Sequence, residues 1–289
     1  MTTPPTLEEF LTAPIEQVQK VAPQTVIYQP GGTRRGAALA GMPMSSYADW
    51  TTERMLHVTD ILFQHGIRHV FTTLLGPKNF QEVTPEYREH LWEWAGFVAN
   101  DQSMDMYRKR GWRVRILYEQ YLPELSKTVE RLRETLSAPD QHTLWYMFTP
   151  ERFLPIRWMM DTLKHSSPQN IDETIQLLYG QVVPLATLCL SHGKPILLSE
   201  FLPPLIYEVL NCFWTQKPHY LDEQELRAVI YDCVYMRKTW IKDKSERAKH
   251  VTRDREVWEN APIVGLGRRV GPFWYPATIP EPPLSDDET

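Results

Sequence analysis

Cysteine is scarce: Cys189, Cys212 and Cys233 are the only three in 289 residues. Their odd number and wide spacing exclude a disulfide framework and a cysteine-built zinc site, and predict a reducing, cytoplasmic compartment. The nine histidines show no metal-ligand spacing either. No run approaches the eighteen or so apolar residues that a spanning helix needs, so no membrane span is expected. The first ten residues lack a basic stretch followed by an apolar one, so no secretory leader is expected. A formal net charge of −5, with the two signs interspersed, removes the clustered basic face that nucleic acid requires. Walker and dinucleotide-binding glycine patterns are missing as well. No internal repeat is visible.

Aromatic residues are plentiful. The chain holds ten Trp and thirteen Tyr and is 42% hydrophobic, enough to bury a sizeable core without staples. The rings can furnish an ordinary aromatic core or line a cavity, and composition leaves both readings open.

The hydrophobic pattern alternates between short apolar runs and helical periodicity. An acidic amphipathic stretch, Leu7–Val21, precedes an apolar strand over Thr25–Tyr28. Ser46 with Asp49 has the spacing of a capping box and announces a helix carrying Trp50, Met55, Val58 and Leu62 that stops at Gly66. His69–Leu75 reads as a strand, Pro85–Tyr107 as one long aromatic-faced helix and Trp112–Leu117 as a strand. Helix is then predicted over Leu122–Leu136, strand over Leu144–Phe148, mainly helix over Ile171–Cys189, strand over Pro195–Leu198 and helix over Asp222–Lys238. Residues 243–261 suit a solvated helix. This alternation predicts an α/β fold: a mainly parallel central sheet with helices on both faces and ligands at the carboxyl ends of its strands. The expected organisation is a helical extension over 1–24, one domain over 25–275 and a proline-rich acidic tail over 276–289.

The segment after the first strand carries the clearest chemistry. Gly31 and Gly32 permit close backbone approach to an anion, and Thr33, Arg34 and Arg35 add a hydroxyl and two forked, permanently charged donors. From residue types alone, a surface turn with two solvated arginines competes with a diphosphate-binding cradle.

The order of strand, Gly-Thr-Arg-Arg loop, helix ending Gln64-His65-Gly66-Ile67 and strand Val70–Leu75 resembles the cis-prenyltransferases, the undecaprenyl diphosphate synthase fold. Gly76-Pro77-Lys78-Asn79-Phe80 stands where that family has Ser-Thr-Glu-Asn-Trp, and Trp112–Ile116 is similar to its third strand. A nearer likeness is to the divergent tuberculosinol synthase/tuberculosinyl adenosine transferase type. Its Gly-Thr-Arg-Arg run recurs at Gly32–Arg35, followed by Tyr47, Tyr87, Ala99-Asn100-Asp101, Tyr231-Asp232, Tyr235, Arg237, Val264-Gly265 and Trp274. The likeness spans roughly residues 7–275 and is weakest between 150 and 205.

The resemblance implies an enzyme that uses an allylic prenyl diphosphate, and a homodimer. It assigns the diphosphate to Gly31, Gly32, Thr33, Arg34 and Arg35, with Tyr47 and Tyr87 near the reacting carbon and Asn79 positioning an acceptor. For both tyrosines, amphipathic packing at a helix start is the competing reading. Trp94 and Phe97 are candidate tunnel lining, as are Trp92 and Met104, although each ring or thioether also suits a core. Arg269 and Gly271 resemble a C-terminal Arg-x-Gly that reaches a partner's diphosphate in some cis-prenyltransferases.

Two departures carry weight. Gly31 replaces the family's loop Asp, which holds Mg²⁺ on the diphosphate or acts directly in the divergent branch, so no metal site is expected and a role for Mg²⁺ is in doubt. Leu198–Leu202 lacks the arginines that grip the diphosphate of isopentenyl diphosphate, so cis elongation with that substrate is not expected. The first reading is therefore prenyl transfer to some other small-molecule acceptor. The alternatives are a terpene synthase, in which water or proton loss quenches the cation, and a silent partner subunit of a cis-prenyltransferase.

Overall fold

The computed structural model describes residues 4–81, 84–137, 142–192, 211–215, 221–236, 268–270 and 273–275. Two short helices, α1 (Leu7–Leu11) and α2 (Ile15–Val21), lead into strand β1 (Thr25–Gln29). There follow α3 (Thr33–Leu39), α4 (Tyr47–Gln64), β2 (His69–Leu75), α5 (Pro77–Phe80), α6 (Pro85–Gly96), α7 (Asp101–Arg110) and β3 (Trp112–Leu117). The chain continues through α8 (Ser126–Leu132), β4 (His142–Phe148), α9 (Leu154–Leu163), α10 (Ile171–Tyr179), β5 (Leu188–His192), β6 (Asn211–Thr215) and α11 (Glu223–Tyr231). A hairpin of β7 (Arg268–Val270) and β8 (Phe273–Tyr275) completes the described elements.

Strands β1–β6 form one sheet in the order β3-β4-β2-β1-β5-β6, and every pairing is parallel. Successive residues of β1 and β4 are buried, as expected where both faces of a parallel sheet are covered. On β1 the chain has gone to β2 on one side and later to β5 on the other, so their carboxyl ends flank a reversal of strand order. Such a reversal leaves a crevice in which ligands bind.

The N-terminal helices are tied to this body. Phe10 is buried against Tyr231 and Tyr235. The Arg227 guanidinium donates to the carbonyls of Leu11 (3.1 Å) and Ala13 (2.6 Å). Gly66 has φ +94°, and a Cβ there would come within 2.9 Å of the Gln19 backbone, so the α4–β2 turn can lie against α2 only without a side chain.

Several expected elements differ in extent. The long helix over Pro85–Tyr107 is interrupted: a 3-10 turn at Phe97–Ala99 ends α6, and Asn100, in extended conformation, caps α7 by accepting from the Ser103 N–H (2.8 Å). Asparagine's local hydrogen bonding outweighs the continuous apolar periodicity there. Ser46 forms no capping box, because a 3-10 turn over Met44–Ser46 holds it at ψ 4°, away from the extended geometry that aims its hydroxyl at the next amides. The regular helix of Leu122–Leu136 shrinks to Ser126–Leu132 between 3-10 turns. That of Ile171–Cys189 ends at left-handed Gly180, so Cys189 lies in β5. Thr33–Arg35 are the first turn of a helix rather than a loop. Helix α11 passes into a π-helical turn over Asp232–Met236. The strand expected at Pro195–Leu198, the helix expected at 243–261 and the tail fall outside the described residues.

Candidate active site

A cavity of about 960 Å³ opens at the carboxyl ends of β1, β2, β4 and β5. From β1 come Gln29 to Arg35, including Gly32 as the left-handed residue (φ 73°) that turns the chain into α3. No side chain caps the first turn of α3. From β2 come Thr73, Leu74 and Leu75 in succession, where plain alternation would present only every second residue. A register shift against β4 between Thr73 and Leu75 accounts for this, since an extra residue re-aims its neighbours.

Two helices complete the walls. Tyr47, Ala48, Thr51, Thr52 and Met55 form one stripe of α4, and Tyr87, Trp94 and Ala95 a stripe of α6 that Val98 extends. Trp94 holds both tyrosines in place, with ring centroids 5.3 Å from Tyr47 and 5.2 Å from Tyr87. This aromatic group is both core and lining.

Each tyrosine hydroxyl is set by a polar neighbour. The Tyr47 hydroxyl shares a short hydrogen bond with the Thr33 hydroxyl. Burial raises the Tyr47 pKa, only partly offset by that bond, so the phenol keeps its proton. Asn79 accepts from the Gly76 N–H (2.9 Å) through Oδ1, which turns its amide nitrogen toward the Tyr87 oxygen (2.8 Å). The guanidinium of Arg34 lies over the Tyr87 ring, 4.5 Å from its centroid.

The structure thus brings together Gly31, Gly32, Thr33, Arg34, Arg35, Tyr47, Asn79, Tyr87 and Trp94 around one cavity. It does not bring Phe97, whose 3-10 turn presents Val98 instead. Trp92 packs at a tilt against Phe80 and Met104 is fully buried, neither against the cavity. Arg269 lies in β7, and Gly271 is outside the described residues.

The lining residues that escaped the sequence reading include three basic ones: Lys78 on α5, Arg152 just beyond β4, and His192 at the end of β5, buried edge-on against Tyr28. The available signal was position, since each lies at or within a few residues of the carboxyl end of a parallel strand. Among the described residues no Asp or Glu lines the cavity. Among the described residues no cluster of three or more His, Cys, Asp and Glu side chains is placed to hold a metal ion. A protein-held Mg²⁺, which prefers carboxylate oxygens, does not fit this lining.

No family model matches the sequence. (+)-Kolavelool synthase of Herpetosiphon aurantiacus is 42% identical over 276 residues, covering 94% of this chain and 96% of that protein. The chain belongs to the kolavelool synthase family. Its members are enzymes, and a more distant relative is tuberculosinyl adenosine transferase of Mycobacterium tuberculosis, 24% identical over 295 residues, 93% of this chain and 97% of that one. The fold is that of the cis-prenyltransferases. Lavandulyl diphosphate synthase from Lavandula x intermedia, solved in complex with dimethylallyl diphosphate, superposes with a TM-score of 0.58 at 15% identity, over 75% of this chain and 98% of that one. A probable undecaprenyl diphosphate synthase from Campylobacter jejuni gives 0.56 at 13% identity, over 75% and 97%. Among the described residues no helix is long and apolar enough to cross a membrane.

Proposed function

We propose that this protein is a terpene synthase that ionises an allylic prenyl diphosphate in the cavity at the strand ends. The observation that carries the reading is the lining itself: arginines, with no carboxylate among the described residues, beside buried aromatic and aliphatic side chains. The allylic C–O bond breaks, and the diphosphate leaves with the electron pair. Arg35, Arg34 and the Gly32 amide stabilise that departing anion, while the Gly31 N–H is held by the Gln29 carbonyl (3.0 Å). Tyr47, a protonated phenol, and the Tyr87 hydroxyl, both on the cavity wall, can donate to the leaving oxygen or orient a water. Trp94 and the tyrosine faces shield the cation, with about 0.5–2 kcal/mol of cation–π attraction per ring. Water then adds its oxygen to the cation and releases a proton to the diphosphate, giving an alcohol.

The 42% identity to a synthase favours quenching inside the site. The likeness to an adenosine transferase supports a second reading, transfer of the prenyl group to a polar small-molecule acceptor. The same reading has a catalytic domain over 25–275 that carries 1–24 as a helical extension and 276–289 as a tail. It works as a homodimer in the cytoplasm, in keeping with the family resemblance and three free cysteines.

Incubating the pure protein with geranyl, farnesyl and geranylgeranyl diphosphates, followed by mass spectrometry of an organic extract, tests both readings. A terpene alcohol or hydrocarbon formed with no added acceptor is expected. Turnover only after a nucleophilic co-substrate is supplied would transfer the conclusion to the second reading, and no turnover with any allylic diphosphate would end both.

A further inference from the structure

The cavity holds two cations for which the proposed chemistry has yet no task. Lys78 follows β2 and Arg152 follows β4, and both side chains reach the cavity that Arg34 and Arg35 enter from beyond β1. The three strands are consecutive neighbours in the order β4-β2-β1. Neighbouring strands lie about 4.8 Å apart, so the ends of β4 and β1 are roughly 10 Å apart, and Lys and Arg side chains from all three can meet on one anion.

Among the described residues neither Lys78, Arg152 nor Arg35 has a carboxylate partner. The acid next in sequence, Glu151, is instead drawn to Arg157 (3.0 Å). Like charges facing one crevice repel, and a bound anion relieves that repulsion.

We infer that Lys78 and Arg152 are substrate-binding residues that grip the diphosphate from the β2–β4 side of the cavity while Arg34 and Arg35 hold it from the β1 side. This rests on the proposed use of a prenyl diphosphate. It adds that the charge a metal ion would otherwise neutralise is met by four side chains from three strand ends.

Titration calorimetry with inorganic pyrophosphate on the full-length protein tests the assignment without requiring turnover. Lys78→Ala and Arg152→Ala should each weaken binding about tenfold or more, as removal of a charge-assisted hydrogen bond does. Lys78→Arg, which keeps the charge, should recover most of the affinity, and Lys109→Ala on α7 should change nothing. Both target side chains are exposed, so far-ultraviolet circular dichroism should report intact folds. Unchanged pyrophosphate affinity in Lys78→Ala and Arg152→Ala, alongside a loss in Arg35→Ala, overturns the inference and leaves the proposed function standing. If the unsubstituted protein binds no pyrophosphate, the proposed function falls and this inference with it.

Discussion

Removing the Asn79 side chain distinguishes a residue that positions a tyrosine from one that handles substrate itself. Asn79 makes two bonds, from the Gly76 N–H at 2.9 Å and to the Tyr87 oxygen at 2.8 Å. Each is worth about 1 kcal/mol net, so Asn79→Ala should cost about 2 kcal/mol and lower the melting temperature by roughly 4–8 °C. For turnover, the Tyr87 hydroxyl is proposed to meet a charge that develops as the diphosphate leaves. A hydrogen bond to a charged group is worth about 1.5–3 kcal/mol, so Tyr87→Phe should reduce kcat/KM roughly ten- to hundredfold. Asn79→Ala should fall within the same range, because a Tyr87 hydroxyl without its donor is no longer fixed. The double variant decides the matter. If Asn79 acts only through Tyr87, Asn79→Ala on the Tyr87→Phe background should reduce kcat/KM by no more than about twofold further. Steady-state kinetics of the four proteins with one allylic diphosphate, with thermal melts to correct for folding, make the comparison. Multiplicative losses would refute the relay and make Asn79 a substrate contact, as an acceptor-positioning role requires.

Three further outcomes follow from the same structure. Activity should survive EDTA better than in relatives with an Asp in place of Gly31, because the described lining has no carboxylate; complete loss in EDTA with full rescue by Mg²⁺ would show that the arginines do not replace the metal. Gly66→Ala forces a Cβ to within 2.9 Å of Gln19 at φ +94° and should destabilise by about 2 kcal/mol, and a thermal melt equal to that of the unsubstituted protein would contradict the packing. Acid should weaken the fold through His69, whose pKa is lowered to about 4, chiefly by burial and then by Arg68 and His142. The unfolded chain takes up the proton first, so stability is lost as the pH falls from about 6.5 toward 4, and this group alone costs about 2 kcal/mol between pH 7.5 and pH 5. A urea midpoint that does not move over that interval would count against it.

Much of the fold is legible in local pattern. The runs Thr25–Tyr28, His69–Leu75, Trp112–Leu117 and Leu144–Phe148 are all strands of the sheet. A parallel strand covered on both faces is nearly all apolar, as Thr25–Tyr28 and Leu144–Phe148 are. The edge strand Trp112–Leu117 instead alternates apolar residues with Arg113 and Arg115. Both are local patterns that short-range periodicity records. Interruptions are harder to read. The break at Asn100 and the end of α10 at Gly180 depend on single residues whose side-chain bond or left-handed backbone overrides the hydrophobic rhythm on either side.

The site divides in the same way. Residue types single out the Gly-Gly-Thr-Arg-Arg run, since glycine freedom and guanidinium charge are properties of the residues themselves. Tyr47, Asn79 and Tyr87 are singled out by the family resemblance instead, and Trp94 by its place on an aromatic helix face. Tertiary structure alone decided that Trp94 bridges both tyrosines while Phe97 faces elsewhere, that Asn79 holds Tyr87, and that Lys78, Arg152 and His192 share the cavity. The lining comes from four strand ends separated by dozens of residues, and which ends meet is set by the lateral order of strands in the sheet. That order depends on long-range pairing, which leaves no short-range trace in the sequence.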